Sequence, residues 1–311
     1  MRSRSGMRGV AILNRQSGGL RKIDVDGFAG RLRAAFAEKG HQIVPRLVNG
    51  SGLSNALEAA GADASSELLI AAGGDGTLSA AAAVALRTGK VLGVLPGGTM
   101  NLVSRSFGLP QNIDEALAVL AAGEEGSIDI ATANGRPFLH EFSVGLHPRM
   151  VKTRENFDYA SRFGKMVASL RALLVVASRP KGFTVAVETD AIDSGHERDR
   201  ASLVAVSNNL YGEGHLPFAD SLEEGVLGLY RVGVLAPRHN LRLTKDMILG
   251  KWRENPDVAV STSTHVTLHF ERLPNKPHCI IDGELLPLEP RVALAIHPGA
   301  LRCLKPRTAE L

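Results

Sequence analysis

The chain has 311 residues, of which 44% are hydrophobic and 22% are charged. These values are typical of a folded globular protein, exclude whole-chain disorder and, at this length, favour two domains. The two cysteines, Cys279 and Cys303, exclude a disulfide-built scaffold and a CxxC metal site. A net charge of +4 and 5% aromatic residues argue against a nucleic-acid-binding protein. No apolar run of signal-peptide type follows the first arginines, so we expect a cytoplasmic protein.

The first part of the chain alternates short apolar runs with helical patterns. Strands are predicted at 9–13, 41–47, 68–72 and 91–95, and helices at 24–39, 54–60, 78–88 and 114–122. Repeated β-loop-α units predict a parallel, doubly wound sheet. Residues 68–86 contain a single charge, but the glycines around it indicate a strand, a turn and an alanine-rich helix. We therefore expect no integral membrane span.

The pattern changes near residue 126, where valine and threonine begin to alternate with polar residues. This alternation predicts an antiparallel β-sandwich interrupted by helices at about 149–178 and 238–250. The predicted strands are 127–133, 137–145, 183–189, 201–207, 226–234, 258–262, 264–270, 277–281 and 291–296. We expect an α/β domain over 1–126 and a sandwich domain over 127–298, with the tail 299–311 returning to the first domain.

A Gly-Gly-Asp-Gly-Thr segment at 73–77 follows the third predicted strand and opens a helix. Glycines permit close backbone approach, and the amide groups at a helix N-terminus favour a phosphate. The Asp75 carboxylate suits a Mg²⁺ ion that bridges phosphate oxygens. A plain strand-to-helix turn is the alternative interpretation.

Two further loops support a phosphate site. Pro-Gly-Gly-Thr-Met-Asn at 96–101 follows the next strand, and Asn-Arg-Gln-Ser-Gly-Gly at 14–19 follows the first strand. Parallel strands of one sheet place such loops on the same carboxyl edge, where open α/β sheets bind ligands. Together the loops predict a nucleotide site, although none is a Walker A loop or a GxGxxG fingerprint.

An Asp-Gly-Glu segment at 282–284 ends an apolar strand late in the chain. On an extended chain, Asp282 and Glu284 would face one side. One could then bind a metal or orient the other, which would accept a proton. The alternative is a solvated two-residue hairpin turn, in which Asp-Gly is common.

The ordered set of GGDGT, LPGGTMN at 95–101 and DGE resembles the diacylglycerol kinase catalytic family, which includes bacterial diacylglycerol kinases and sphingosine kinases. The resemblance extends to Ile-Asp-Ile at 128–130, with Asp129 at the domain junction, and to Phe-Ser-Val-Gly at 142–145. It implies a nucleotide-binding α/β domain and a C-terminal β-sandwich with the active site in the cleft between them. The implied reaction is ATP-dependent phosphorylation of a lipid hydroxyl at a membrane surface.

The resemblance also implies roles for individual residues. Glu284 matches the family's general base with Asp282 beside it, and Asp75 belongs to the Mg²⁺–ATP network. The implied ATP contacts are Asn14, Ser17, Gly18, Asn49, Gly73, Gly74, Asp75, Gly76, Thr77, Gly97, Gly98, Thr99 and Asn101.

The sequence departs from the family pattern at several positions. Ala80 and Leu102 replace acidic residues, and a structural magnesium segment keeps Glu224 but has Gly228 in place of its second acid. An NAD kinase-like enzyme acting on a soluble nucleotide and a non-catalytic nucleotide-binding regulator therefore stay open as alternatives. The acceptor lipid and the oligomeric state, a dimer included, also stay open.

A basic and apolar segment over 149–179 suits an anionic membrane, which would bring the protein to the inner face of the membrane. The alternative is a helix packed on the sandwich with a solvated basic face.

Overall fold

The computed structural model describes residues 6–146, 148, 182–190, 197–271 and 277–307. It confirms the predicted fold class, with parallel strands and helices first and antiparallel strands after them. The helix predicted at about 149–178 and the basic segment 149–179 lie outside the described residues.

The first half of the chain is a doubly wound α/β unit. Its strands are β1 (Arg8–Asn14), β2 (Gln42–Val48), β3 (Leu68–Gly73) and β4 (Val91–Pro96), all parallel in the order β2-β1-β3-β4. Its helices are α1 (Val25–Glu38), α2 (Leu53–Ala62), α3 (Asp75–Thr88), the short α4 (Leu102–Ser106) and α5 (Ile113–Ala121).

Helices cover both faces of this sheet, which explains why β3 and β4 are continuous apolar runs. Leu69 and Ala71 of β3 belong to the core formed with α2 and α3. Leu68, Ile70 and Ala72 belong to the core formed with α1 and α5. α1 begins where the Asp24 carboxylate accepts a hydrogen bond from the backbone N–H of Gly27 at 3.0 Å, as in an ordinary N-cap.

The second half is built from antiparallel strands around its own core. This half also contains a helix, α6 (Pro237–Ile248). The strands are β5 (Glu124–Ala133), β6 (Arg136–Phe138), β7 (Glu141–Gly145), β8 (Phe183–Thr189), β9 (Glu197–Asn208), β10 (Leu227–Gly233), β11 (Val258–Ser263), β12 (His265–Phe270), β13 (His278–Ile281), β14 (Glu284–Pro287) and β15 (Arg291–Lys305).

The last strand, β15, belongs to both halves. Residues 291–295 pair antiparallel with β12, and Cys303 pairs in parallel with Leu92 of β4, while β5 runs antiparallel along most of β15. The register with β5 shifts between His297 and Leu301, around Pro298 and Gly299. Hydrogen bonding therefore continues from β14 at one edge to β2 at the other.

Four strand predictions are wrong in extent by three residues or more, and no pattern predicted β14. The strands predicted to begin at 127 and 201 begin at Glu124 and Glu197. The strand predicted over 137–145 is two strands, β6 and β7, and the strand predicted to end at 296 continues to Lys305 beyond the proline and glycine. Residues 68–86 form β3 and most of α3, as predicted. Across the described ranges, no helix combines the length and the apolar character needed to cross a membrane.

Candidate active site

The carboxyl edge of the parallel sheet brings the predicted glycine loops together. β1 lies between β2 and β3, so the crevice between the loops after β1 and β3 is the point where the strand order reverses. Across it, Asn14 Nδ2 donates a hydrogen bond to Thr77 Oγ1 at 3.0 Å. Two predicted site residues, 63 positions apart in sequence, therefore meet at this crevice.

Backbone hydrogen bonds join the loop after β4 to the other two. The Gly97 N–H donates to the Gly73 carbonyl at 2.7 Å, and the Gly19 N–H donates to the Gly97 carbonyl at 2.7 Å. The loop after β2, which contains the exposed Asn49, is attached through Gly50 N–H and Gln16 Oε1 at 3.0 Å. The loops after four strands thus form one connected surface.

Several of the glycines are required by this loop packing itself. A Cβ atom on Gly98 would lie 2.6 Å from the Cα atom of Gly74, and one on Gly97 would lie 2.9 Å from the Cα atom of Gly73. By contrast, a Cβ atom on the exposed Gly76 would have no neighbour within 4 Å. Gly76 therefore faces open space, where a ligand would approach.

The N-terminus of α3 points into this space. Its N-cap residue is Gly74, and within the described part of the chain no side chain accepts a hydrogen bond from the backbone N–H groups of the first turn. The first amide groups of a helix lack intrahelical partners and carry partial positive charge. The start of α3 thus has the electrostatic character of an anion site.

The side chains of Asp75 and Asn101 hydrogen-bond to the backbone of the loop after β4 and of α4. The sequence motifs did not predict this structural role. Asp75 Oδ1 accepts the backbone N–H of Val103 in the first turn of α4 at 2.9 Å. Asn101 has a φ of 55°, and its Oδ1 accepts the N–H of Gly98 at 2.8 Å. Asp75 thus fixes α4 against α3, and Asn101 holds the loop after β4 in its turn conformation.

Ser17, Gly18 and Thr99 also lie in this loop cluster. Ser17 Oγ donates to the Asn14 carbonyl at 2.8 Å, and a Cβ atom on Gly18 would lie 2.9 Å from Thr99 Oγ1. Beside them is an open cavity of about 310 Å³. Gln111 in its wall has a buried Oε1 with no hydrogen-bond partner among the described residues. The wall consists of Gly19, Ile23, Pro96, Gly98, Thr99, Asn101, Arg105, Gln111 and Ile113.

The Asp-Gly-Glu segment is a tight hairpin turn, so the prediction that both carboxylates face one side is wrong. Asp282 and Gly283 connect β13 to β14 with φ values of 47° and 82°, and Ile281 pairs with Glu284. Positive φ at both central residues is typical of a two-residue hairpin. The chain therefore reverses at Asp282 instead of remaining extended.

The two carboxylates have different surroundings. Asp282 is 8% exposed, and its carboxylate accepts the N–H groups of Leu139 and His140 at 2.8 Å and of Glu141 at 3.0 Å. The Glu284 side chain is 62% exposed and forms an ion pair with Arg136 at 2.6 Å. Asp282 anchors the turn, and Glu284 faces the surface.

The anchored segment also connects the turn to the α/β half. The Asp282 carboxylate accepts hydrogen bonds from the backbone N–H groups of three consecutive residues. Residues 139–140 therefore do not pair with a neighbouring strand, and they separate β6 from β7. Leu139 packs into the core that contains Leu78 and Ala81 of α3, and β6 contacts α3. The hairpin is therefore attached to the half that carries the glycine loops.

A buried polar and aromatic cluster lies behind the turn, and no motif predicted it. Tyr211 Oη donates to Glu141 Oε2 at 3.0 Å, and burial together with this carboxylate raises the pKa of Tyr211 well above its usual value. The phenol therefore stays protonated and continues to donate. The Tyr211 ring stacks on Tyr230 with centroids 5.0 Å apart, and Trp252 contacts both rings.

Asp129 fixes two loops at the junction of the halves. It is 3% exposed, and its two oxygens accept the N–H groups of Gly299 at 2.9 Å and Gly225 at 2.7 Å. Glu224 is exposed and donates its own N–H to Asn209 Oδ1. Within the described ranges, no group of three or more His, Cys, Asp or Glu residues could hold a metal ion. The described residues therefore do not support the structural magnesium site expected at Glu224.

Two family models match the chain in succession. The diacylglycerol kinase catalytic domain matches residues 8–133, and the YegS C-terminal NAD kinase beta sandwich-like domain matches residues 149–305.

Curated relatives agree with this assignment. Probable lipid kinase YegS-like of Citrobacter koseri is 26% identical over 254 residues, covering 79% of this chain and 80% of the relative. Probable lipid kinase YegS of Salmonella heidelberg is 26% identical over 257 residues with the same coverage. An uncharacterized protein of Synechocystis sp. is 26% identical over 247 residues, and this chain spans only 54% of its length.

Solved structures share the whole fold. A Bacillus anthracis str. Sterne structure described as that of a candidate diacylglycerol kinase superimposes with a TM-score of 0.78 at 22% identity, covering 100% of this chain and 99% of that one. A diacylglycerol kinase structure from the same strain gives 0.70 at 20% identity, with 99% and 100% coverage. With the two matched domains and the glycine loops in place, the chain belongs to the diacylglycerol kinase catalytic-domain family of lipid kinase-type proteins, with a YegS-type C-terminal domain.

Proposed function

We propose that this protein transfers the γ-phosphoryl group of ATP, bound with Mg²⁺, to the hydroxyl group of a lipid. The observation that carries the proposal is the N-terminus of α3, which no described side chain caps, at the crevice where the strand order reverses. Family membership makes a phosphorylated lipid the expected product.

The ATP phosphates would lie against the first turn of α3. Gly76 leaves room for them, and its N–H and that of Asp75 would donate to phosphate oxygens. The loops after β1, β2 and β4 surround this position, and the cavity beside Gly98 and Thr99 offers space for another part of the nucleotide. Fixed amide donors position phosphates without reorganisation, which is what phosphoryl transfer requires most.

Mg²⁺ would bind chiefly to the nucleotide, with Asp75 as its protein ligand. Asp75 Oδ1 accepts a hydrogen bond from the Val103 N–H group, whereas Oδ2 has no hydrogen bond within the described part of the chain. One carboxylate plus phosphate oxygens is a usual Mg²⁺ environment, so the absence of a larger acidic cluster among the described residues fits this arrangement. When bound, the ion would neutralise charge on the transferred group.

Glu284 would be the general base. Its exposed carboxylate would take the proton from the lipid hydroxyl while that oxygen forms a bond to the γ-phosphorus and the bond to the ADP oxygen breaks. Arg136 orients the carboxylate from the neighbouring hairpin. Asp282 is buried and accepts hydrogen bonds from three backbone N–H groups. It would therefore position the turn and would not touch the reactants.

A soluble nucleotide acceptor is the second candidate, because the C-terminal family model is NAD kinase-like. Incubation of the protein with Mg²⁺ and γ-labelled ATP, with either a total lipid extract or NAD, separates the two functions. We expect the label in the organic phase, on a lipid that mass spectrometry identifies. Label on NAD would contradict the proposal, and ATP binding without turnover on either acceptor would indicate a nucleotide-binding regulator.

A further inference from the structure

The surface of α6 combines exposed apolar side chains with basic ones. Leu241 is 66% exposed and Leu249, which follows the helix, is 50% exposed. Arg238, Arg242 and Lys245 are exposed as well. The five residues are separated by three, one, three and four positions, so they share one face of a helix with 3.6 residues per turn. We call this set, Arg238, Leu241, Arg242, Lys245 and Leu249, the α6 surface.

The opposite face of α6 binds the rest of the protein. Leu243 and Thr244 are buried, and the Asp246 and Asp257 side chains are mostly buried, while Glu254 is exposed. Asp246 accepts a hydrogen bond from Asn255 Nδ2 at 2.6 Å, and Asp257 lies 3.1 Å from His239 Nδ1. Asp246 also lies 3.9 Å from Arg242, so Arg242 is the ion-paired cation of the α6 surface.

The apolar exposure is concentrated in this region. The described part of the chain has seven exposed large hydrophobic residues, and five of them lie between residues 234 and 260. They are Val234, Leu241, Met247, Leu249 and Val260. Arg238 and Lys245 form no ion pair with any described residue, so their charges are available to a partner. Of these five, Leu241 and Leu249 lie on the α6 surface, whereas Met247 lies on the other side of the helix. Exposed leucines beside unpaired cations are the feature that indicates an interaction surface here.

We propose that the α6 surface docks the protein on an anionic lipid bilayer. Leucines that would enter the acyl boundary, mixed with cations that would meet lipid phosphates, are the composition of an interfacial helix. A protein partner would favour a continuous apolar patch, whereas here the cations alternate with the leucines. The purpose of the docking rests on the proposed function, since a lipid acceptor must be reached in a bilayer, but its test does not.

The position of α6 suits this purpose. Three residues after Leu249, the Trp252 ring packs on the ring of Tyr211. The Tyr211 hydroxyl donates a hydrogen bond to the Glu141 carboxylate. The backbone N–H of Glu141 in turn donates to Asp282 of the proposed catalytic turn. Gly250 packs on the loop at Gly214, and the same loop reaches α4 through Ala219 N–H and Ser106 Oγ at 3.2 Å. Docking through α6 would therefore place the bilayer beside the elements that form the candidate active site.

Vesicle binding tests the proposal independently of catalysis. We expect sedimentation with vesicles of phosphatidylcholine and phosphatidylglycerol, weakening with salt, and little with phosphatidylcholine alone. The double variant Arg238→Glu/Lys245→Glu should bind at least about tenfold more weakly, since each cation near an anionic surface contributes about fivefold in affinity. The matched control, Arg33→Glu/Lys39→Glu, changes the net charge equally at exposed positions of α1 and its end and should bind within about twofold of wild type.

The apolar contribution and the orientation have their own readouts. Leu241→Ser should weaken binding, whereas Val44→Ser, at a residue 57% exposed on β2, should not. Trp252 is the sole tryptophan, so brominated acyl chains should quench its fluorescence in wild type and not in the double variant. Equal binding by the α6 variants and their controls, or binding without quenching, would overturn the proposal and assign the surface to solvent or a protein partner. Failure of lipid phosphorylation with α6-dependent binding intact would instead refute only the proposed function.

Discussion

Single glycines differ in what they do in the candidate site. Gly97 and Gly98 are needed because the loop after β4 touches the backbone of the loop after β3. Gly76 touches nothing, so only a ligand would require it to lack a side chain. A substitution at Gly98 would therefore confuse folding with binding, and a substitution at Gly76 separates them.

Gly76→Val should weaken ATP binding by about tenfold or more while leaving the melting temperature nearly unchanged, because its side chain would occupy the space assigned to phosphate. Gly30→Val is the matched control, since Gly30 is also an exposed helical glycine with no neighbour within 4 Å of a Cβ atom. Isothermal titration and thermal denaturation of both variants check this. Unchanged ATP affinity in Gly76→Val would show that the ATP phosphates do not bind at the start of α3.

At the scale of elements, the β13–β14 hairpin owes its geometry to Asp282. A carboxylate accepts three amide donors readily, but an asparagine side chain has one acceptor oxygen and an NH₂ group that would face them. An unsatisfied buried donor costs about 1–3 kcal/mol.

Asp282→Asn should therefore lower the melting temperature by about 2–6 °C. Glu284→Gln, two residues away, should change it by no more than about 1 °C, because an exposed ion pair contributes at most about 1 kcal/mol. Differential scanning calorimetry distinguishes the two carboxylates. Equal melting temperatures for Asp282→Asn and wild type would show that the turn does not depend on this anchor.

The elements that sequence periodicity could predict are those with long, regular patterns. The helix expected over 24–39 is Val25–Glu38, and the four parallel strands begin and end within one residue of their predicted limits. The short α4 was missed because five residues carry too little periodicity. The break in 137–145 and the anchoring of Asp282 depend on hydrogen bonds across more than 140 residues, which no local pattern contains. The turn itself is the two-residue Asp-Gly hairpin that the sequence offered as the alternative.

The same limit applies to the site. The three glycine loops were predictable, because each loop follows an apolar strand and parallel strands end at one edge. The buried contact of Glu141 with Tyr211 was not, because the residues lie 70 positions apart and neither belongs to a recognisable motif.

At the scale of the whole molecule, β15 makes the two halves interdependent. It pairs with β12 of the sandwich and, through Cys303, with β4 of the α/β half, and Leu301 and Cys303 belong to the α/β core. Leu139, whose N–H binds Asp282 of the β13–β14 hairpin, belongs to the same core.

We therefore expect the halves to unfold together. In hydrogen–deuterium exchange at increasing urea, peptides from β3 and from β12 should lose protection at the same urea concentration. Independent domains would show midpoints separated by more than about 0.5 M, and such a separation would contradict the role given to β15.

In the proposed reaction, Asp75 would bind Mg²⁺ with the nucleotide, and Glu284 would take the proton from the acceptor hydroxyl. The most direct test measures the ATP dissociation constant and kcat of Glu284→Gln on the lipid that product analysis identifies. The variant keeps the shape of the side chain and loses its proton acceptor. We predict an ATP dissociation constant within about twofold of wild type and a kcat lower by about 10²–10⁴-fold. Retention of more than about a tenth of wild-type kcat, with chemistry rate-limiting, would contradict the account.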